Sequence, residues 1–294
     1  MKRIAMAMLA GAAAMVAGCS VSQDGSNAAE SNEVTPTAVD SSSAATPQLT
    51  LSRLDCGTIE FQDMNGFFSD RPGVYPPGPG KVTDSCYLIR HGDQMLLWDT
   101  GLPAATLQEP VQDNGMKGAL TVSLADQLAK GGLKPADIDI VGISHMHSDH
   151  TGQAAEFSQA RLLIGKRDFD QTAGKDDPFG PWRGAGKPVQ AVSGETDIFG
   201  DGSVVALYLP GHSPDHLALR VNLASGPVLL TGDLYHSTIA REKRSLPGFN
   251  TSREQTLESM DKFEALAKQT GAKVVIQHEP ADIGKVPAFP QAAK

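Results

Sequence analysis

The chain has 294 residues, 40% of them hydrophobic, and a formal net charge of −9. That is enough for one large two-layer domain, and the acidic balance argues against nucleic acid as a partner, because such affinity rests on neutralising phosphates with Lys and Arg.

The first residues read as a targeting segment and are set aside before any fold reasoning. Lys2 and Arg3 form a basic n-region, Ile4 to Val16 an apolar h-region, and Val16-Ala17-Gly18-Cys19 ends in small residues and a cysteine. The apolar run is shorter than the roughly 20 residues an ordinary spanning helix needs, so a permanent transmembrane anchor is not expected. The ending resembles a bacterial lipobox, with a conventional cleaved signal as the alternative. The lipobox implies a signal peptide over residues 1–18 and a lipid on Cys19 as the sole membrane contact. Ser20 after it resembles an outer-membrane sorting context, so the expected location is the outer membrane, facing the periplasm. Residues 19–49 are Ser, Ala, Asn, Thr and acidic residues with almost no large apolar side chain, and read as a flexible tether; the folded part is expected over 50–294. Removing the signal moves the formal charge to −11, since two basic residues leave with it.

The folded part opens on Leu49 to Phe61, which alternates well enough to predict a first strand or hairpin. Asn65 to Gly80 is rich in Pro and Gly and predicts a loop, with Phe67, Phe68 and Tyr75 either exposed to an apolar ligand or pinning the loop to the core. Ser85–Arg90 and Gln94–Asp99 flank His91-Gly92-Asp93, a hairpin signal that leaves His91 solvated. Asp99, at the end of that buried strand, can orient a ligating histidine through its second nitrogen or merely cap the turn. Cys56 and Cys86 lie in strand-like segments of an exported chain, where a disulfide and two buried thiols are both open.

Ser123–Lys130 has helical spacing and stops at Gly131-Gly132. Ile138–Ile143 is a short buried strand, and the chain then reads Ser144-His145-Met146-His147-Ser148-Asp149-His150-Thr151-Gly152. Four imidazole and carboxylate side chains at a strand end can turn towards one point, a donor set that suits zinc or a neighbouring first-row metal. Arg161–Gly165 predicts another strand, and Asp176–Gly184 a second irregular loop, with Phe179 and Trp182. Strands are expected over Val189–Val192 and Val204–Leu209, the second running into Gly211-His212-Ser213-Pro214-Asp215-His216. Leu217–Val221 and Val228–Thr231 form a pair that ends at Gly232-Asp233-Leu234-Tyr235-His236. Thr256–Lys268 is helical by its apolar spacing, and Lys273–Pro280 predicts a last strand delivering His278. The repeated pattern of strands, helix and strand-to-ligand suggests an α/β protein of two facing mixed sheets with helices outside, a four-layer αββα sandwich with its ligands at one edge.

In motif order and spacing, His145-x-His147-x-Asp149-His150, Gly211-His212, Gly232-Asp233 and His278 resemble the metallo-β-lactamase superfamily. The resemblance covers essentially everything from residue 50 onwards. It implies two divalent metal ions, zinc by preference. His145, His147 and His212 would hold one, Asp149, His150 and His278 the other, and Asp233 would bridge them. Many β-lactam-cleaving members place a cysteine where this chain has Asp233, and the redox di-iron members a glutamate at His147, so neither activity is expected. The residues around the ligands look most like the N-acyl-homoserine lactonases, which implies opening of the lactone ring by metal-bound hydroxide. Asp149 would hand a proton to the leaving alkoxide. In that group a tyrosine three residues after the bridging aspartate helps orient the lactone. Here that position is His236 and Tyr235 is two residues after, so either is a candidate for the carbonyl oxygen. Phe67, Phe68, Tyr75, Phe179 and Trp182 are candidates for an acyl-chain pocket. His216 is left out of the metal set, which is complete without it. The alternatives are a thioesterase of the glyoxalase II kind, a broader lactone or ester hydrolase, and a non-catalytic metal-binding lipoprotein. The partner is then a small lactone with an apolar acyl chain, and the oligomeric state is open, with a dimer possible.

Overall fold

A computed structural model describes residues 48–113, 115–174, 176–184 and 186–294. The signal, the lipid on Cys19 and all but the last residues of the tether lie outside the described residues.

Among the described residues, thirteen strands build two sheets. The first half of the chain gives β1 (Leu49–Phe61), β2 (Gly80–His91), β3 (Gln94–Trp98), β4 (Val111–Asp113), β5 (Met116–Ala119), β6 (Ile140–Gly142), β7 (Arg161–Gly165) and β8 (Val189–Val192). These form an eight-stranded sheet in the order β4-β5-β1-β2-β3-β6-β7-β8. The second half gives β9 (Thr196–Asp197), β10 (Val204–Tyr208), β11 (Leu217–Leu223), β12 (Gly226–Leu230) and β13 (Lys273–Val275), a five-stranded sheet in the order β13-β12-β11-β10-β9. Both sheets are mixed: β3, β6, β7 and β8 run parallel, as do β12 and β13, while the remaining pairs are antiparallel.

The sheets face one another across a core of Leu51, Tyr87, Ile89, Leu96 and Trp98 from one side and Val204, Ala206, Leu219, Val221 and Leu230 from the other. The opposite face of the larger sheet buries Leu88, Leu97, Val141 and Leu162 against helix Leu124–Lys130 and the segment containing Phe157, Phe179 and Trp182. The smaller sheet is covered by the helix Arg253–Thr270, whose Met260 and Phe263 pack on Val205, Leu207 and Leu229. Strands apolar on both faces are what a sheet covered on both sides requires. The αββα sandwich follows from that.

Several elements differ from expectation. The last strand stops at Val275, because the chain turns there: the Ile276 N–H donates to Asp282 Oδ2 at 2.8 Å and the Glu279 N–H to Ile276 O at 3.2 Å. His278 therefore arrives on a turn. The loop after β1 contains a one-turn helix, Met64–Phe68, started by Asp63, whose Oδ1 accepts from Asn65 N at 3.0 Å. His91 is not simply solvated: its Nε2 lies 2.7 Å from Asp201 Oδ2 and its ring stacks on Phe199, tying together two hairpin turns. Cys56 and Cys86 form a disulfide between β1 and β2, with Cα atoms 5.7 Å apart, inside the span a disulfide tolerates.

Candidate metal centre

Four chain segments meet at one edge of the sandwich, and each delivers ligands for a local reason. After β6 the chain leaves the sheet at Ser144 and enters the single turn Ser148–Thr151, which carries Asp149 and His150, with His145 and His147 just before it. His212 follows β10, Asp233 follows β12, and His278 follows β13. Two glycines make the last turns possible. Gly211 has φ +133°, and a Cβ there would lie 2.3 Å from Thr256 N; Gly232 has φ +52°, and a Cβ would lie 2.6 Å from His216 Nε2. Any larger residue at either position would displace the ligand that follows it.

Two groups of donors result, His145, His147, His212 and Asp233 in one and Asp149, His150 and His278 in the other. In the first, His145 Nε2 lies 2.9 Å from His147 Nδ1 and 3.1 Å from His212 Nε2, and His212 Nε2 lies 3.0 Å from His147 Nδ1. In the second, His278 Nε2 is 3.3 Å from His150 Nε2. Lone pairs of neutral imidazoles repel when brought together this way, and a cation between them removes the repulsion. The edge of a tetrahedron with zinc–nitrogen bonds of about 2.0–2.1 Å is about 3.3–3.4 Å, close to these separations. Asp233 stands between the groups: Oδ2 is 3.6 Å from His145 Nε2 and 3.4 Å from His212 Nε2, and Oδ1 is 3.3 Å from His150 Nε2 and 3.0 Å from His278 Nε2. Its Oδ1 is buried without a hydrogen bond of good geometry, as an acceptor reserved for a metal would be. The donor set fits two divalent ions.

The nitrogens that face away from the cluster decide which tautomer each ring adopts. His145 Nδ1 lies 3.0 Å from Ser144 Oγ, His212 Nδ1 3.0 Å from Asn250 Oδ1, His278 Nδ1 2.9 Å from Thr83 O and His150 Nδ1 3.0 Å from Asp99 Oδ2. A proton on each Nδ1 leaves the Nε2 lone pair for the cation, the usual arrangement behind a ligating histidine. Asp99 also accepts from Ser144 N at 2.7 Å and from Gln277 Nε2 at 2.9 Å. To reach all three it adopts φ +60°, a left-handed conformation that costs a non-glycine residue energy and is tolerated where the surroundings fix it. It orients His150 as well as shaping the turn.

His216, outside the metal set, supports it. The Nδ1–H donates to Leu209 O at 3.1 Å and Nε2 accepts from Asp233 N at 2.9 Å, so a neutral, fully buried imidazole fixes the backbone of the central carboxylate. Burial pushes its pKa down to about 4. Burial and the neighbouring imidazoles likewise hold His145 well below the usual histidine range, and burial does so for His212. Burial also lowers His150, but Asp233, Asp149 and Asp99 outweigh it and leave it well above that range.

Opening onto the cluster is a cavity of about 400 Å³ lined by Ile59, Phe61, Phe67, Phe68, Leu102 and Met116, with His147, Asp149, Asp233, His236 and His278 at its polar end. Of the aromatic candidates, Phe67 and Phe68 line it. Tyr75 stands behind Phe68 at 6.3 Å between ring centroids, with its hydroxyl 2.9 Å from Ser237 Oγ. Phe179 and Trp182 do not reach it, because both are buried in the core beside the larger sheet, where Trp182 Nε1 donates to Ala160 O at 2.9 Å. Tyr235 is also outside. Its ring packs against Phe263 and its hydroxyl donates to Glu264 Oε1 at 3.0 Å, so it is a core residue and has no access to a substrate. His236 is inside: Nε2 is 3.0 Å from Asp233 Oδ2 and the ring stacks on His278 at 5.7 Å. Sequence reasoning missed Phe249, Ser144, Asn250 and Gln277. Phe249, 48% exposed at the cavity mouth, packs on Phe67 with ring centroids 5.2 Å apart. Only its place in a short Pro-Gly-Phe loop next to the His212 segment hinted at this.

Comparisons with known proteins agree with this geometry. The metallo-beta-lactamase superfamily model matches residues 79–278. The chain is 33% identical over 165 residues to the N-acyl homoserine lactonase AttM of Azorhizobium caulinodans, an alignment covering 51% of this chain and 61% of that protein. It is 33% identical over 183 residues to the AttM lactonase of Rhizobium radiobacter, covering 56% of this chain and 68% of that one. In structure it resembles a quorum-quenching N-acyl homoserine lactone hydrolase with TM-score 0.71 and 20% identity, covering 84% of this chain and 99% of the other. A dizinc quorum-quenching lactonase, AidC, superposes with TM-score 0.61 at 17% identity, over 84% of this chain and 90% of the other. With its ligand motifs in order on an αββα sandwich, the chain belongs to the metallo-beta-lactamase superfamily.

Proposed function

We propose that the protein is a metal-dependent hydrolase that opens the ring of N-acyl-homoserine lactones. One observation carries this reading: the ligand cluster opens directly into a cavity walled by aliphatic and aromatic side chains, with no Lys or Arg among the described residues that line it. Such a cavity suits an apolar acyl chain extending from a small polar ring. A glutathione thioester brings two carboxylates, for which the lining offers no cation, so the thioesterase reading is second. The relatives named N-acyl homoserine lactonases support the choice.

When bound, the two ions, zinc by preference, supply an acidified water and a Lewis acid for the carbonyl. His145, His147 and His212 would hold one ion, Asp149, His150 and His278 the other, with Asp233 facing both. The chain's own residues do the rest. Phe61, Phe67, Phe68 and Met116 hold the acyl chain and keep water from the reacting face. His236, at the polar end, presents its imidazole towards the ring carbonyl, where charge develops in the transition state. Asp149, with a side chain 22% exposed while the other ligands of its group are buried, is placed to hand a proton to the departing alkoxide. Export as a lipoprotein, tethered to the outer membrane and facing the periplasm, rests on the sequence from Lys2 to Ser20.

A hydrolysis screen over acyl-homoserine lactones, glutathione thioesters and β-lactams, with metal analysis of the same sample, tests the proposal. Lactone turnover with two ions per chain is the expected result. Thioester cleavage without lactone turnover sinks the reading. A metal-binding protein with no activity on any of the three would instead be a binding lipoprotein.

A further inference from the structure

Strand β2 carries a buried acid that the ligand set leaves unused. Asp84 is fully buried, and neither of its carboxylate oxygens has a hydrogen-bond partner among the described residues. The preceding residue is joined to a ligand twice, since His278 Nδ1–H donates to Thr83 O at 2.9 Å and Thr83 N–H donates to His278 O at 3.3 Å. Alternation along the strand puts Asp84 on the face of Val82, which lines the cavity, and of Cys86, which is bonded to Cys56. Its partner in register on β1 is Gly57, where the apolar side chain of Leu102 occupies the place a side chain would take. Arg53, on β1, directs its donors to Ser85 Oγ and Thr83 Oγ1, so it does not neutralise Asp84. Burial pushes the Asp84 pKa well above the usual carboxylate range, His278 and then His150 pull it down, and Asp149 and Asp99 push it up again. Three of the candidate ligands, with Asp99 behind them, are thus the groups whose charge it feels.

A carboxylate without donors in an apolar interior is destabilising unless a positive charge compensates it. With metal bound the ligand histidines are neutral, and no Lys or Arg among the described residues gives Asp84 a hydrogen bond. Two divalent ions would supply that charge. Asp149 and Asp233 offset half of their charge, and Asp99 and Asp84, both fully buried, are of the right number to offset the remainder. In a low-dielectric interior such an interaction needs no direct contact.

We propose that Asp84 is a counter-charge of the metal centre, a carboxylate outside the ligand set that strengthens the hold of the Asp149–His150–His278 group on its divalent ion. The inference rests on the two-metal reading above. Asp84 is a positioning residue in the electrostatic sense and touches neither substrate nor ion.

The test compares wild-type protein with Asp84→Asn, which keeps the shape and removes the charge, by titrating metal-free protein with Zn²⁺ against a chromophoric chelator and by urea unfolding of the same metal-free samples. The wild type is expected to bind two ions. In Asp84→Asn one ion binds as before and the other about 10- to 100-fold more weakly, the range found when outer groups of metal sites are altered. The metal-free variant should unfold at a urea concentration no lower than metal-free wild type, because Asp84 has no hydrogen bond to lose; weakened binding then cannot be a folding defect. A variant that binds both ions within about twofold of wild type overturns the proposal and leaves the two-metal reading standing. A wild type that takes up no zinc overturns both. If Asp84→Asn does not fold, Asp84→Ser is titrated in its place, with the same two outcomes deciding.

Discussion

Replacing Tyr235 by phenylalanine removes one hydroxyl from the residue next to His236, and the structure makes opposite predictions for the two positions. The Tyr235 hydroxyl donates to Glu264 Oε1 at 3.0 Å, and Glu264 is held independently by Arg241 through contacts of 2.8 Å to each oxygen. Removing the hydroxyl leaves the ring packed on Phe263 and the carboxylate still paired, so the loss is one hydrogen bond at a partly exposed acceptor, about 1 kcal/mol of stability. Turnover of a lactone should stay within about twofold of wild type, since no atom of Tyr235 faces the cavity. His236→Ala removes an imidazole from the cavity wall, and if that imidazole meets the developing oxyanion, kcat falls by about 10²-fold or more. Urea unfolding and kcat on an acyl-homoserine lactone, measured for both variants, decide the matter. A tenfold loss of kcat in Tyr235→Phe with unchanged stability would refute the assignment and return the substrate-orienting role to the tyrosine.

Phe249→Ala should flatten the dependence of kcat/KM on acyl-chain length, because Phe249 and Phe67 together close the cavity mouth; the loss should grow with each added methylene, and an equal loss at every length would mean that the residue acts through His212 instead. Replacing Cys56 and Cys86 by serine should cost about 3–4 kcal/mol, from loop entropy over a sequence separation of 30, read as a lower urea midpoint that matches reduced wild type. Asp168 gives a pH signature. Burial raises its pKa to about 6 although Ser213 Oγ donates to it at 2.5 Å and Asp215 N at 3.0 Å. The folded state therefore binds more protons at this group than the unfolded state between about pH 4 and 6. Its contribution to stability is greatest below that window and falls by about 3 kcal/mol as pH rises through it. The stability difference between wild type and Asp168→Asn, measured by urea unfolding, should show that fall; a flat difference from pH 4 to 7 would contradict it.

The candidate metal ligands were legible in the sequence because they sit in short local signals: His145 to His150 form one run after a buried strand, and His212 and Asp233 each follow a glycine that ends a strand. The sandwich was legible for the same reason, as apolar runs bounded by turns. What lies behind the ligands was legible only at Asp99, a carboxylate ending a buried strand that could orient a histidine or cap the turn. Asn250 and Gln277 come from segments far from the rings they touch, and only tertiary packing brings their hydrogen-bonding atoms to His212 and His150. The aromatic residues show the same limit. Phe67 and Phe179 sit in similar Pro- and Gly-rich loops, yet one lines the cavity and the other fills the core, because each loop's direction depends on what it packs against.

Asp233 shows where the division falls. Its sequence, Gly232-Asp233 after an apolar strand, was sufficient to name it as a ligand, and with six others to expect a pair of metals. Which of the next residues accompanies it into the site was decided by the tertiary structure. The chain leaves the short turn Gly232–Leu234 in an extended conformation, with φ −139° and ψ 135° at Tyr235, so successive side chains point to opposite sides. Tyr235 enters the core against the helix Arg253–Thr270, and His236 enters the cavity. A turn of this kind fixes alternation, and only the packing of the helix on the smaller sheet fixes its phase.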